Sequence, residues 1–358
     1  MPEFALSALL EGLWENAPIV PIEAGDRFAV FSDLHLGDGS RHDDFTANSE
    51  TVMAALTTYY GPRSYKLILN GDIEELLRCR LSAIRERWKA FYAVLDEFKA
   101  RQSLYKLEGN HDPASAQAEG PYPLFSALKL KVDGGDILVL HGHQAGRINS
   151  GRYNALIGTF LKLFANPLHI KNHSPAYHKQ SRYEIERRIY EFAKEKKILA
   201  VIGHTHRPLF ESQPKAANLE LRLDALCRRW SRASSAERRH LEPMIEFTRL
   251  DWESHRDSPR LDLPHQLYNK EFLLPCVFNS GTTIGRGGIT GLEITRKKIR
   301  LVHWSDLAKP ASSKVNYEYE TRRIFAGRWS RTILRKSSLA YLFARMKFLT
   351  VARQGEGD

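Results

Sequence analysis

Short β-branched and aliphatic runs alternate along most of the chain with longer stretches in which apolar side chains recur every three or four positions. That alternation predicts a layered α/β sheet rather than an all-helical or all-β protein. Strands are expected at Phe28–Ser32, Tyr65–Leu69, Ser103–Leu107, Asp136–Leu140 and Ile198–Ile202, and again at Cys276–Asn279, Ile289–Ile294 and Ile299–Trp304. Helices are expected at Thr46–Tyr60, closed by Gly61-Pro62, and at Leu81–Arg101, where Ile84, Trp88, Phe91, Leu95 and Phe98 form a core stripe. Two stretches interrupt the rhythm. The first, 144–197, reads as a helical insertion over Tyr153–Phe164 and Ser181–Lys197; the second, 213–274, is Arg-rich and helical over Leu219–Arg232 and Ala236–Phe247.

Each of the first five strands ends on a side chain able to ligate a metal: Asp33 and His35, Asp72, Asn110, His141, then His204 and His206. Sites form at the carboxyl ends of strands, because the loops there converge while the sheet holds them rigid. Mixed oxygen and nitrogen donors suit Mn, Fe or Zn rather than a thiolate-seeking ion. Seven donors suffice for two ions held ~3.5–4 Å apart by one shared carboxylate around a bridging water, and Asp72 is the candidate bridge. Gly71, Gly109 and Gly203 each precede a donor, as a tight turn or a close backbone approach requires. His111 follows Asn110 directly and is placed to protonate a leaving alkoxide, with Asp112 expected to orient its ring. His143, Arg147 and Arg207 flank these loops as candidate substrate contacts, the arginines as phosphate clamps. His42, His169, His173 and His178, in polar loops, read as surface.

The segments Asp33-Leu34-His35, Gly71-Asp72-Ile73-Glu74-Glu75, Gly109-Asn110-His111-Asp112, His141-Gly142-His143 and Gly203-His204-Thr205-His206 resemble the five ordered motifs of the calcineurin-like metallophosphoesterases. The resemblance implies a four-layer α/β/β/α sandwich and Mn, Fe, Zn or Ni as the metals. It also implies Asp33, His35 and His206 on one ion, Asn110, His141 and His204 on the other, Asp72 between them, and His111 as the catalytic histidine with Asp112 behind it. In the second motif Glu75 stands where the family usually has Asp. A finer likeness, carried by Ser32–Leu36, Asn70-Gly71-Asp72 and Gly203–Pro208, is to the UDP-diacylglucosamine pyrophosphohydrolases, which typically have Arg where His111 stands and Asp where His143 stands. The implied activity is hydrolysis of a phosphomonoester, phosphodiester or pyrophosphate. A nuclease and a non-catalytic scaffold of the same fold are the competing readings.

Charge changes the picture only at the carboxyl end. The 358 residues carry a net +11, and from Leu307 onward eleven Lys/Arg face four Asp/Glu. Such a field favours anionic partners, whether phosphorylated substrate, anionic lipid headgroups or nucleic acid. The expected organisation is an N-terminal segment 1–25, a catalytic domain 26–306 and a basic, helical tail 307–358. The tail's apolar rhythm at Phe325, Trp329, Ile333, Leu339, Leu342, Phe343 and Met346 is expected to lie on the body, with a membrane surface as the alternative. Three scattered cysteines, an acidic N-terminus and no long apolar run predict a cytoplasmic protein, peripheral to a membrane at most.

Overall fold

Thirteen strands among the described residues form two sheets. The computed structural model describes residues 3–40, 43–116, 120–146, 179–212, 215–256, 274–285, 287–309, 320–324 and 327–350. In chain order the strands are β1 (Ile19–Pro21), β2 (Arg27–Phe31), β3 (Lys66–Asn70), β4 (Leu104–Leu107), β5 (Leu124–Phe125), β6 (Ala127–Val132), β7 (Gly135–Leu140), β8 (Leu199–Ile202), β9 (Val277–Asn279), β10 (Ile289–Thr295), β11 (Lys298–Asp306), β12 (Glu320–Ile324) and β13 (Trp329–Ser338). The larger sheet runs β12-β13-β11-β10-β2-β3-β4-β5, the smaller β1-β6-β7-β8-β9. Strands β2 to β5 are mutually parallel, as are β7 to β9, while β10 joins β2 antiparallel.

Period-two alternation along β2 distributes its side chains between two cores. Phe28 and Val30 join Leu128, Ile137, Val139 and Val201 of the smaller sheet in one buried cluster, so the two sheets face each other. Ala29 and Phe31 point the other way, toward Leu56, Tyr60, Phe91, Leu95 and Phe98. The helix Lys179–Lys196 adds Ile185, Ile189 and Phe192 to the first cluster and packs beside β8 and β9. Strands β3 and β8 are buried almost throughout, which is why they read as unbroken apolar runs.

Several expectations change. The helix expected over Thr46–Tyr60 is a short α-helix, Ser49–Ala54, continued by a wider π-helix over Ala55–Tyr60. The one expected over Leu81–Arg101 is two helices, Leu81–Arg87 and Lys89–Ala100, broken at Trp88, whose indole N–H is shared between Gly37 O and Asp43 Oδ2, 3.0 Å from each. Strand β6 was not expected, although its Leu-Lys-Leu-Lys alternation matches a half-buried strand.

Among the described residues of the basic tail, β12 and β13 extend the larger sheet and Leu339–Leu349 is the one helix. A buried ion pair ties this extension to the sheet, with Arg331 on β13 donating to Glu293 on β10 through Nε (2.8 Å to Oε1) and a terminal nitrogen (2.6 Å to Oε2). Trp329, Ile333, Leu339, Leu342, Phe343 and Met346 are buried on the body, and Phe325 lies outside the described residues. Of the two helices expected in the first insertion the second is described, and Tyr153–Phe164 falls outside the described residues. Among the described residues the second insertion holds two helices, Lys215–Arg232 and Ser235–Arg256, which pack on each other, and Leu219, Leu226 and Leu241 on them are buried. No helix among the described residues is long and apolar enough to cross a membrane.

Candidate metal centre

The loops leaving β2, β3, β4, β7 and β8 meet between the carboxyl ends of the two sheets, and they are held in an unusual backbone conformation. Asp33, His35, Asp72, His204 and His206 all have positive φ, between 49° and 61°. L-residues rarely occupy this region, and runs of such residues cluster where the surroundings over-determine the chain for function. Here the β2 and β3 loops zip together through Asp33 N–H to Gly71 O (3.1 Å), His35 N–H to Asp72 O (3.0 Å) and Leu36 N–H to Ile73 O (2.8 Å). Two glycines make room for the donors. A Cβ at Gly71, itself at φ 79°, would sit 2.5 Å from the His141 ring, and one at Gly109 would sit 2.2 Å from Asp72 Oδ1.

Three groups of donors result among the described residues, one of them His35, Glu75 and His111, and the other two hold the Asp and His residues expected as ligands. In the first of those two, Asp33 Oδ1 lies 3.1 Å from His206 Nε2, and His35 Nε2 lies 3.3 Å from the same nitrogen. The second comprises Asp72, His141 and His204, with His141 Nε2 3.2 Å from Asp72 Oδ2. That same Asp72 oxygen is 3.9 Å from His35 Nε2, so it faces both groups, while Oδ1 is fixed by the His111 N–H at 2.9 Å. His141 donates its Nδ1–H to Asn70 O at 2.7 Å, which directs Nε2 at Asp72 as the nitrogen free to ligate once deprotonated. His141 Nε2 and Asn110 Oδ1 are buried with no hydrogen-bond partner. Orphaned acceptors beside two carboxylates fit a cation, which would satisfy lone pairs that nothing else does.

The sequence suggests Asp112 as the group behind the His111 ring, but its carboxylate accepts the backbone N–H groups of Gly109 (2.8 Å), Asp72 (2.9 Å) and Ile73 (2.8 Å), pinning the donor loops together. The ring is oriented by Glu75, whose Oε2 lies 2.8 Å from His111 Nδ1 and 3.2 Å from His35 Nδ1. Sequence reasoning missed this role, although Glu75 occupies the last position of the second motif. Of the candidate substrate contacts, His143 sits beside the His141 and His204 rings with its Nδ1 buried and unpartnered. Arg207 forms an ion pair with buried Glu186, and Arg147 lies outside the described residues.

Charges in the centre are strongly coupled. Burial alone would raise the Asp72 carboxyl, yet His141, His111 and His35 around it hold it well below the usual carboxylate range. Burial likewise opposes ionisation of Glu75, which His111 and His35 keep down at about 2. The same contacts, read from the other side, outweigh the burial of His111 and His141 and lift them to about 10 and about 9. Burial and the neighbouring His141 push His204 down to about 3, which leaves it a neutral imidazole with a lone pair to offer.

A pH dependence of metal uptake follows. Without a cation His141 carries a proton at neutral pH, and a cation taking Nε2 as a ligand would have to displace it. Affinity for Mn²⁺ should therefore rise by about tenfold per pH unit below about pH 9 and level off above it, with proton release to buffer. Calorimetric titrations at several pH values, in buffers of different ionisation enthalpy, measure both; a pH-independent affinity would remove His141 from the ligands.

The calcineurin-like phosphoesterase family profile matches residues 26–208. No curated protein matches the chain. Among solved structures, a single mutant of Vps29 from Entamoeba histolytica is similar at 10% identity over 87% of this chain and 99% of that one, with a TM-score of 0.34. The family match runs from the start of β2 past the end of β8 and takes in all three groups of donors, and on it the chain belongs to the calcineurin-like phosphoesterase family.

Proposed function

We propose that this chain is a metal-dependent phosphoesterase that holds two divalent cations and hydrolyses a phosphomonoester, phosphodiester or pyrophosphate bond. The observation that carries the reading is Asp72 Oδ2, within 3.9 Å of His35 Nε2 and 3.2 Å of His141 Nε2, facing both candidate ligand groups at once. Asp33, His35 and His206 would hold one cation, Asn110, His141 and His204 the other, with Asp72 shared. Mixed carboxylate, amide and imidazole donors favour Mn and leave Fe, Zn and Ni as alternatives. Such ions, when bound, neutralise charge on the phosphoryl oxygens and lower the pKa of a water.

The chain's own groups supply the rest. Glu75 holds His111 through Nδ1 and keeps it protonated, so its second nitrogen is available to deliver a proton to the departing alkoxide as the bond from phosphorus to that oxygen breaks. Asp112 fixes the backbone on which Asp72 and Asn110 are carried.

The test is hydrolysis of an aryl phosphate monoester, an aryl phosphodiester and a nucleotide-sugar pyrophosphate, each with Mn²⁺ and after exhaustive chelation. Activity should vanish on chelation and return with Mn²⁺, and the preferred substrate names the bond type. Hydrolysis that survives chelation would refute the reading, as would a purified protein that binds no divalent cation. Adding duplex and single-stranded DNA to the panel separates a nuclease from the small-substrate enzymes.

A further inference from the structure

We infer that Glu186, on the helix Lys179–Lys196, is a positioning residue for the loop that carries His204 and His206. The inference rests on the metal-dependent reading above. Both histidines of that loop have positive φ, 61° and 54°, and a backbone so disposed keeps its shape only when its neighbours hold it. Glu186 contacts the residues on either side of His206. Thr205 donates its hydroxyl to Glu186 Oε1 at 2.9 Å and accepts the Asn279 amide at 2.9 Å, and that amide also donates to Gly203 O at 2.8 Å. Arg207 donates Nε to Oε1 at 3.2 Å and a terminal nitrogen to Oε2, with its guanidinium 5.0 Å above the Tyr183 ring of the same helix.

Nothing in core formation asks for a carboxylate here. Glu186 is 2% exposed, on a helix whose neighbouring inward positions are Ile185 and Ile189. A buried charge is disfavoured unless it is paired and hydrogen-bonded, and the partners shown for Glu186 all belong to the His204–Arg207 loop. His206 is the donor that most needs such help, because its side chain is 17% exposed whereas Asp33 beside it is fully buried. The same helix reaches the other histidine loop, where Arg188 donates to Ala145 O at 2.7 Å. The first insertion thus fastens both histidine loops of the smaller sheet.

The experiment is a Mn²⁺ titration by calorimetry on the full chain, with thermal stability in chelator measured in parallel. Glu186→Ala should weaken Mn²⁺ affinity about 10–100-fold, the range found when groups supporting metal ligands are removed. Glu186→Gln, which keeps an acceptor for Thr205, should lose less. Thr205→Val should weaken binding as well and should not add to Glu186→Ala. Glu191→Ala, at an exposed position of the same helix, should leave the isotherm unchanged. Wild-type affinity in Glu186→Ala, with only the melting temperature lowered, would overturn the inference and leave the proposed function standing. Absence of Mn²⁺ uptake by the unmodified chain would overturn both. Should Glu186→Ala fail to fold, the Glu186→Gln and Thr205→Val isotherms decide the question.

Discussion

Asp72→Asn should lower Mn²⁺-supported hydrolysis by at least about 10²–10³-fold, the scale on which single electrostatic contributors to a reacting centre are worth. The substitution is close to isosteric, and it is aimed at one atom. Asp72 Oδ1 accepts the His111 N–H at 2.9 Å, a bond that an amide oxygen can keep. What changes is Oδ2, which lies 3.2 Å from His141 Nε2 and 3.9 Å from His35 Nε2, and which becomes either a neutral oxygen or an NH₂ group directed at two imidazoles. The backbone should tolerate the change, because Asn accepts the left-handed conformation at φ 53° as readily as Asp does. Thermal stability in chelator should therefore move little, while the amount of bound metal falls. Measuring metal content, turnover and melting temperature on the same preparation separates this outcome from misfolding. Retention of more than a tenth of wild-type turnover would remove Asp72 from the bridging role.

The donor set was legible because each donor follows an apolar run that the sheets bury, so strand and ligand are written side by side at Phe31–Asp33, Asn70–Asp72 and Ile202–His204. What the sequence hid is set by loop geometry and by distant pairing. Asp112 adjoins His111 in the chain, but the turn directs its carboxylate to backbone N–H groups, and the ring finds Glu75 from the loop after β3. Neighbours in sequence are poor guides in a tight turn, where successive side chains leave the backbone in different directions. The tail misled for a different reason. Arg331 counts as surface charge until its partner Glu293 is known, and the two lie on β13 and β10 with β11 between them. The helix break at Trp88 likewise depends on Gly37 and Asp43, far away in the chain.

The largest expected effect on folding lies beneath the site. Lys106→Met should destabilise the protein by about 3–5 kcal/mol, the usual consequence of stripping one partner from a buried ion pair. Lys106 on β4 places Nζ 2.8 and 2.6 Å from the two oxygens of Glu74, which also accepts the Tyr92 hydroxyl at 2.9 Å. Both side chains are almost wholly buried, at 3% and 1% exposure, so water cannot replace the ammonium. Methionine matches the lysine stem in length, which keeps any cavity small and isolates the charge. Glu74 belongs to the loop that carries Asp72, so the stranded carboxylate would press on the metal centre as well as on the fold. The double variant Lys106→Met with Glu74→Gln should recover most of the loss, because a neutral amide hydrogen-bonded to Tyr92 needs no counter-charge. Denaturant unfolding of the wild type, both single variants and the double variant closes the cycle. A loss below about 1 kcal/mol for Lys106→Met would place it with exposed pairs of little worth, and a double variant as unstable as the sum of the singles would show that shape, not charge, holds β4 against the β3 loop.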